Sequence, residues 1–398
     1  MLQKKYFAIL SLSFLTFLNL NFQKKMTVSE KNPKILEHHN FECLVNQAGG
    51  CLLGTKTLYC TGPPGQLICG PKTRSVLMTG CDGRLGNVMM AYATLLYLSK
   101  TSKYGLSAIL TKYQAEMMEN SFHPDAYIFK EGVVDAKGPV EGIAVMNEYG
   151  EYFYDAFLEN IDKYEFNKIL NVGLYPSPFY LFYKIRDELK NHFQFQEDIQ
   201  NAAFEAMEQS TLKIREKYAG KKIVKIAVHA RRGDYLISQM ESLNFMRDDE
   251  MWREYFFYCI NLFRNRFDNE TTKTVFYMAS EDTKWLKNNF GQEPDIGFPG
   301  EILNLPDNKM PPRDLFMLIQ CDHMIRSYGT YGLWGGLWST GTVMYANTGR
   351  HIVEEEHSVR INSFVSTWEA IDLNRFMKST TTATTTTTTT TTTTKTTA

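Results

Sequence analysis

The chain lacks most of the short patterns that mark a nucleotide- or metal-using protein. It contains no G-x-x-x-x-G-K-[ST] run, which argues against a P-loop hydrolase, and no G-x-G-x-x-G dinucleotide fingerprint. No two aspartates flank a single intervening residue (D-x-D), so the simplest acidic pair for holding a divalent cation on a diphosphate is missing. None of the eight histidines forms H-E-x-x-H, and none of the seven cysteines forms C-x-x-C, so no metal site is indicated. An excess of charge of one sign is also absent: 43 basic residues face 44 acidic ones, which does not suit nucleic acid as a partner. Aromatics make up 13% of the chain, but those at helical spacing read as core.

What is present begins at the ends. Met1–Lys5 is short and basic, and Tyr6–Phe22 is almost wholly apolar before Lys24-Lys25. Seventeen helical residues span about 25 Å, enough for a thin bilayer, and no small-x-small cleavage site follows. The run reads as an uncleaved membrane anchor, with a cleaved signal peptide as the alternative. Cys43, Cys51, Cys60, Cys69 and Cys81 cluster as a disulfide framework would in a secretory chain. Seven is odd, and Cys259 and Cys321 lie in apolar helical runs, so at least one is expected to be a buried thiol. Asn269-Glu270-Thr271 is an N-glycosylation sequon in a polar break. The last twenty residues include sixteen threonines, a composition that builds no core. The tract reads equally as an O-glycosylation substrate or an inert tail.

The expected division is therefore 1–25 tail and anchor, 26–74 Cys-rich stem, 75–220 first domain, 221–376 second domain and 377–398 Thr-rich tail. Between the ends, strand and helix alternate. Ser75–Thr79, the turn GCDGRLGN and an apolar helix Val88–Leu98 form one passage. A strand at Ile223–Val228 opens the second, followed by a helix over Asp249–Phe267, whose Trp252, Tyr255, Phe256, Cys259, Leu262 and Phe263 recur at helical spacing. A strand at Thr274–Ala279, a helix at Lys284–Phe290, a helix at Arg313–Cys321 behind Pro312, a strand at His323–Ser327, a helix through Trp338 and a strand at Thr342–Ala346 complete it. Lys163–Lys222 reads as mostly helical. The alternation predicts an α/β fold of two doubly wound domains with parallel sheets, facing a cleft.

The run KIAVHARRGDYL carries the sharpest signal. Arg231 and Arg232 follow a buried-type strand, and ligands in open α/β sheets bind just past such strand ends. A guanidinium fork matches phosphate oxygens two at a time and is charged at every pH. The local positive charge suits one phosphorylated ligand. Taken alone, the arginines read equally well as a surface ion-pair network. Arg232-Gly233-Asp234 also spells an adhesion tripeptide, but its place after a buried strand is wrong for that role. In the first turn, Gly83 and Gly86 permit a tight bend into a helix amino end that favours an anion. Ser327, Gly329 and Thr330 begin a further helix and serve either as phosphate contacts or as plain caps. Ser280, Glu281 and Asp282 end a strand, and Asp282 is placed to cap the helix that follows.

GRLGNVMMAYATL, HARRGDY, FYMASEDTKWLKNNF and DLFMLIQCDHMIRSYGTYGLWGGLWSTGTVMY resemble, in order and spacing from about Ser75 to Ala346, the motifs of the galactoside α-1,2-fucosyltransferase family, glycosyltransferase family 11. The H-x-R-R-x-D element occurs more widely, in α-1,6- and protein O-fucosyltransferases. The resemblance implies two facing Rossmann-like domains in the GT-B arrangement, GDP-fucose as donor and no metal or other cofactor. It implies inverting transfer to the 2-hydroxyl of a terminal β-galactoside on a glycan, by a single-pass type II Golgi membrane protein with its catalytic body in the lumen. It implies Arg231 on the β-phosphate, with Arg232, Gly86, Asn87, Ser280, Asp282, Ser327, Gly329 and Thr330 on the donor side. Arg232 and Asp234 read more readily as holding the loop, Arg232 by ion pairing and Asp234 by accepting local N–H bonds. Asp282 reads either as a guanine contact or as the helix cap. Asp82, His229 and Asp234 are the candidates for the base. Val88 stands where the family usually has Gln, Met90 where a smaller residue is common and Ala230 where Val is typical. The first two put the acceptor in doubt. A protein O-fucosyltransferase, and a binding protein that kept the fold without turnover, are the competing readings.

Overall fold

The computed structural model describes residues 51–53, 56–61, 68–70, 76–80, 83–101, 106–129, 140–142, 169–172, 179–237, 241–349, 353–363 and 365–377. The apolar run Tyr6–Phe22, Cys43, Cys81, Asp82 and the Thr-rich tail lie outside them. Among the described residues no helix is long and apolar enough to cross a membrane.

Within the expected stem, β1 (Cys51–Leu53), β2 (Lys56–Thr61) and β3 (Ile68–Gly70) form an antiparallel sheet whose backbone register sets Cys60 opposite Cys69. The first α/β unit contains β4 (Val76–Met78), α1 (Leu85–Thr101), β5 (Ser107–Ala108), α2 (Lys112–Ser121), β6 (Val140–Gly142) and β7 (Ile169–Asn171). Its strands are all parallel, in the order β5-β4-β7-β6. Helices α3 (Phe179–Lys184), α4 (Arg186–His192) and α5 (Glu197–Lys217) follow.

The second unit runs β8 (Lys222–His229), α6 (Asp234–Ile237), α7 (Asp249–Phe267), β9 (Thr272–Ala279), α8 (Thr283–Phe290), β10 (Ile296–Gly297), α9 (Met310–Ile319), β11 (His323–Arg326), α10 (Thr330–Trp338), β12 (Val343–Asn347), α11 (Val353–Asn362) and β13 (Trp368–Asp372). These strands are also parallel, in the order β10-β9-β8-β11-β12-β13. The α/β class and the parallel sheets are as the alternation predicts.

Local chemistry explains the clearest elements. Asp248 caps α7 by accepting from Met251 N at 2.9 Å; Asp249 and Glu250 lie in its first turn and Arg264 and Arg266 in its last, matching both ends of the helix dipole. Its stripe of Trp252, Tyr255, Phe256, Cys259 and Phe263 is buried against one face of the second sheet. Cys259 and Cys321 are both free and buried. The described part of Lys163–Lys222 is mostly helical, as expected, with β7 ahead of its three helices and seated between β4 and β6. One expectation needs correction. The first helix starts at Leu85 rather than Val88, so Gly86 and Asn87 belong to its opening turn.

The two units share an apolar core. Trp334 of α10 is fully buried among Phe182, stacked at 5.7 Å between centroids, Phe179 at 5.1 Å and Phe193 at 5.4 Å. One apolar cluster therefore runs from Leu77 and α1 through α10 to Trp368. Helix α5 packs on α9 and on the β9–β10 edge of the second sheet, although it precedes the boundary expected at residue 221.

Candidate active site

Chain order places the site. From β8 the chain moves outward to β9 and β10, then returns to the other side of β8 as β11. The switch point lies between β8 and β11, where the crossovers diverge and leave a crevice beyond the strand ends. His229 pairs with Arg326 on one side and Ala279 on the other, so the three strands finish level. The loops carrying residues 230–234, 280–282 and 327–330 are thereby delivered together. In the first sheet the corresponding switch lies between β4 and β7, and the turn after β4 leads into α1.

Arg231 lies over this crevice with a side chain 12% exposed. Its stem lies flat on Gly329: a Cβ added there would meet Arg231 Cδ at 3.4 Å, and φ of +92° makes that residue a glycine position in any case. The guanidinium sits 4.7 Å from the Tyr235 ring centroid. Nη2 donates to Asp234 Oδ1 at 2.5 Å and Nη1 to Glu281 Oε1. Its Nε is buried without a hydrogen-bond partner. Its backbone N donates to Ser327 Oγ at 2.7 Å, and that hydroxyl donates to His229 O at 3.2 Å. The Ser327 side chain, 2% exposed, is thus spent tying the two strand ends together.

Arg232 points the other way. It is 5% exposed, lies 4.1 Å over the Trp285 ring, and donates to Asp282 at 3.1 Å and Asp249 at 2.6 Å. Asp282 Oδ1 in turn accepts from Trp285 N at 3.0 Å, capping α8. Both carboxylate oxygens are occupied, so of its two readings the cap describes the geometry. Ser280 Oγ accepts from Asp282 N at 3.1 Å within the same turn.

His229 is 4% exposed, packed against Tyr331 at 5.2 Å between ring centroids, with its Nδ1 unpartnered. Burial first, then the charges of Arg231 and Arg326, push its pKa down to about 3. A group that weak and that enclosed is unsuited to take a proton from an acceptor hydroxyl. Asp234 is half exposed and bonded to Arg231, while Asp82 lies outside the described residues.

Two helix amino ends meet at the crevice. Thr330 Oγ1 of α10 donates to Asn87 Oδ1 of α1 at 2.6 Å, and Trp334 Nε1 donates to Gly86 O at 2.8 Å. Gly86 is required by the approach, since a Cβ there would lie 2.8 Å from Tyr331 N. Gly329 brings no capping side chain to α10, and its carbonyl is held by Arg326 Nη2 at 3.3 Å. Arg326 is itself buried and bonded to Ser358 at 2.6 Å.

Two further residues at the crevice carry no distinctive sequence pattern, Arg84 and Glu281. Arg84 Nη1 lies 2.6 Å from Glu281 Oε1, the oxygen that Arg231 also reaches, and Arg84 Nη2 lies 4.0 Å from Asp234. The available signal was a lone cation between Gly83 and Gly86 at a helix start. Among the described residues no group of three or more His, Cys, Asp or Glu is placed to hold a metal ion. Asn269 lies at the α7–β9 break, its Oδ1 accepting from Thr271 N and Thr272 N at 2.9 Å each.

Curated relatives include human galactoside alpha-(1,2)-fucosyltransferase 1, 24% identical over 300 residues that cover 74% of each chain. The Bos taurus protein of the same name is 25% identical over 300 residues, 74% of this chain and 75% of that one. Galactoside alpha-(1,2)-fucosyltransferase 2 of Hylobates lar is 24% identical over 266 residues, 66% and 69%. Among solved structures, fucosyltransferase NodZ from Bradyrhizobium aligns at TM-score 0.44 and 12% identity, over 70% of this chain and 96% of that one. A mutant of Arabidopsis thaliana FUT1 in complex with GDP aligns at 0.44 and 12%, over 68% and 70%. The model of glycosyl transferase family 11 matches residues 66–371, and the chain belongs to that family.

Proposed function

We propose that the chain transfers L-fucose from GDP-fucose to the 2-hydroxyl of a terminal β-galactoside, with inversion. The observation that carries this is Arg231: a guanidinium fork fixed between Gly329 and Tyr235 at the switch point of a parallel sheet. As the glycosidic bond breaks, charge accumulates on the departing diphosphate. A donor already aimed at that charge lowers the barrier more than it stabilises the ground state. The α10 amino end and Asn87 supply further dipoles toward the same place. The galactoside-specific names of the curated relatives favour a glycan over a protein acceptor.

The residues divide by what they touch. Arg231, Gly329, Thr330, Asn87 and Gly86 line the crevice, whereas Arg232, Asp282 and Ser327 hold its walls in register. Asp234 is bonded to Arg231 and His229 is enclosed, so neither is assigned as the base. We also propose a Golgi location with the catalytic body in the lumen, supported by the apolar run Tyr6–Phe22 and the exposed sequon at Asn269.

The test is incubation of the purified chain with GDP-fucose and a panel of β-galactosides and folded protein acceptors, with and without a chelator. Release of GDP that depends on a β-galactoside and is unchanged by the chelator is the expected result. Transfer only to protein would replace the acceptor assignment, and loss of activity on chelation would contradict neutralisation by arginine.

A further inference from the structure

We propose that Arg84 is a second cation for the donor diphosphate, supplied from across the crevice, and that Glu281 is an internal anion competing with the diphosphate for Arg84 and Arg231. This deepens the donor reading above and rests on it.

Three observations converge. The ion pairs of Arg84 both cross to the other half of the molecule, to Glu281 at 2.6 Å and Asp234 at 4.0 Å. Its side chain is 59% exposed, so no burial locks it there. A single oxygen, Glu281 Oε1, receives Nη1 of both Arg84 and Arg231. One acceptor shared by two guanidinium groups from opposite walls is the geometry that a bridging phosphate oxygen would take. Finally, Arg231 Nε is buried without a partner, so the two carboxylates leave part of its fork unsatisfied. A buried unpaired donor is costly, and a ligand bringing more acceptor oxygens to the fork relieves it.

Charge points the same way. Two guanidinium groups and two carboxylates sum to zero in this cluster. A nucleoside diphosphate entering on Arg231 alone would carry more negative charge than one fork neutralises and would face Glu281 and Asp234 as well. Displacing Glu281 from both arginines removes one repulsion and recruits the second cation in one movement. On the Arg84 side the exchange is inexpensive, because that guanidinium is 59% exposed and water screens its pair with Glu281; on the Arg231 side the incoming phosphate oxygens replace the carboxylate as acceptors.

The test is calorimetric titration of GDP into the full chain and into three variants, Arg84→Met, Glu281→Gln and Arg231→Met. Thermal melts check folding, which the exposure of Arg84 should leave intact. Arg84→Met is expected to weaken GDP binding by about tenfold or more, the scale of one charge-assisted hydrogen bond. Glu281→Gln is expected to tighten it by about two- to fivefold, the scale of the released pair. Wild-type affinity in Arg84→Met, or weaker binding in Glu281→Gln, overturns the proposal. Arg231→Met separates the two levels: unchanged binding there sinks the donor reading itself, whereas a loss there beside a normal Arg84→Met sinks only the second cation.

Discussion

Thr330 donates its hydroxyl to Asn87 Oδ1 at 2.6 Å, across 243 residues of chain, and so fastens the first turn of one half's helix to the first turn of the other's. The crevice is defined by that pairing together with Trp334 on Gly86. A double-mutant cycle of Asn87→Ala and Thr330→Val should give a coupling energy of about 0.5–1.5 kcal/mol in GDP affinity, the size of one hydrogen bond. Strict additivity would show that the pair does not link the halves.

Arg231→Lys should lower kcat by about 10²- to 10³-fold with little change in melting temperature. An ammonium is a point charge and cannot reproduce a fork held flat on Gly329. Turnover within a few-fold of the wild type would remove Arg231 from the leaving-group role.

Arg232→Met is expected to behave in the opposite way. The side chain is 6% exposed and holds Asp282 and Asp249 while lying on Trp285. Its loss should cost about 2–3 kcal/mol in denaturant melts, below the value for a fully buried pair because both aspartates are partly exposed. Donor KM per folded molecule should stay near wild type. A tenfold rise in that KM at unchanged stability would move Arg232 into the binding site.

Gly86→Ala tests the approach of α1 to α10. The new methyl would sit 2.8 Å from Tyr331 N and 2.9 Å from Thr330 Oγ1, both in the opposing helix turn. Overpacking of this kind costs about 1–3 kcal/mol. A lowered melting temperature with weakened GDP binding is expected, and normal values in both would mean that the seam yields freely.

His229 links stability to acidity. Its folded-state pKa is depressed to about 3, whereas in the unfolded chain a histidine takes up its proton near 6.5. Above about pH 6.5 this site contributes fully. As pH falls from there toward about 3, the unfolded state binds a proton that the native state does not, and stability drops with a limiting slope of about 1.4 kcal/mol per pH unit. Denaturant melts at several pH values should show a shallower slope in His229→Gln. Identical slopes would place the acid sensitivity elsewhere.

Long, periodic elements are legible in the sequence. Helix α7 matches its expected span because cap, dipole charges and apolar stripe all agree over nineteen residues. Strand β7 is not, because three residues show no alternation and only pairing with β4 and β6 makes them a strand. At the site, the arginine after β8 was readable from its position. The direction of neighbouring side chains was not: Ser327 looks like a phosphate contact until its hydroxyl is seen turned to His229 O. The sequence leaves Asp282 two roles, and the structure sets Arg232 Nε and Trp285 N on its two oxygens. The Arg84–Glu281 pair spans 197 residues, a contact that no local pattern encodes.

The burial of Trp334 among Phe179, Phe182 and Phe193 bears on how such enzymes can be re-engineered. A chimera that joins the first α/β unit of one relative to the second unit of another would cut through a single aromatic cluster. Exchanging residues 179–193 and 330–338 as one cassette keeps that cluster whole, so specificity swaps should follow this packing rather than the midpoint of the chain.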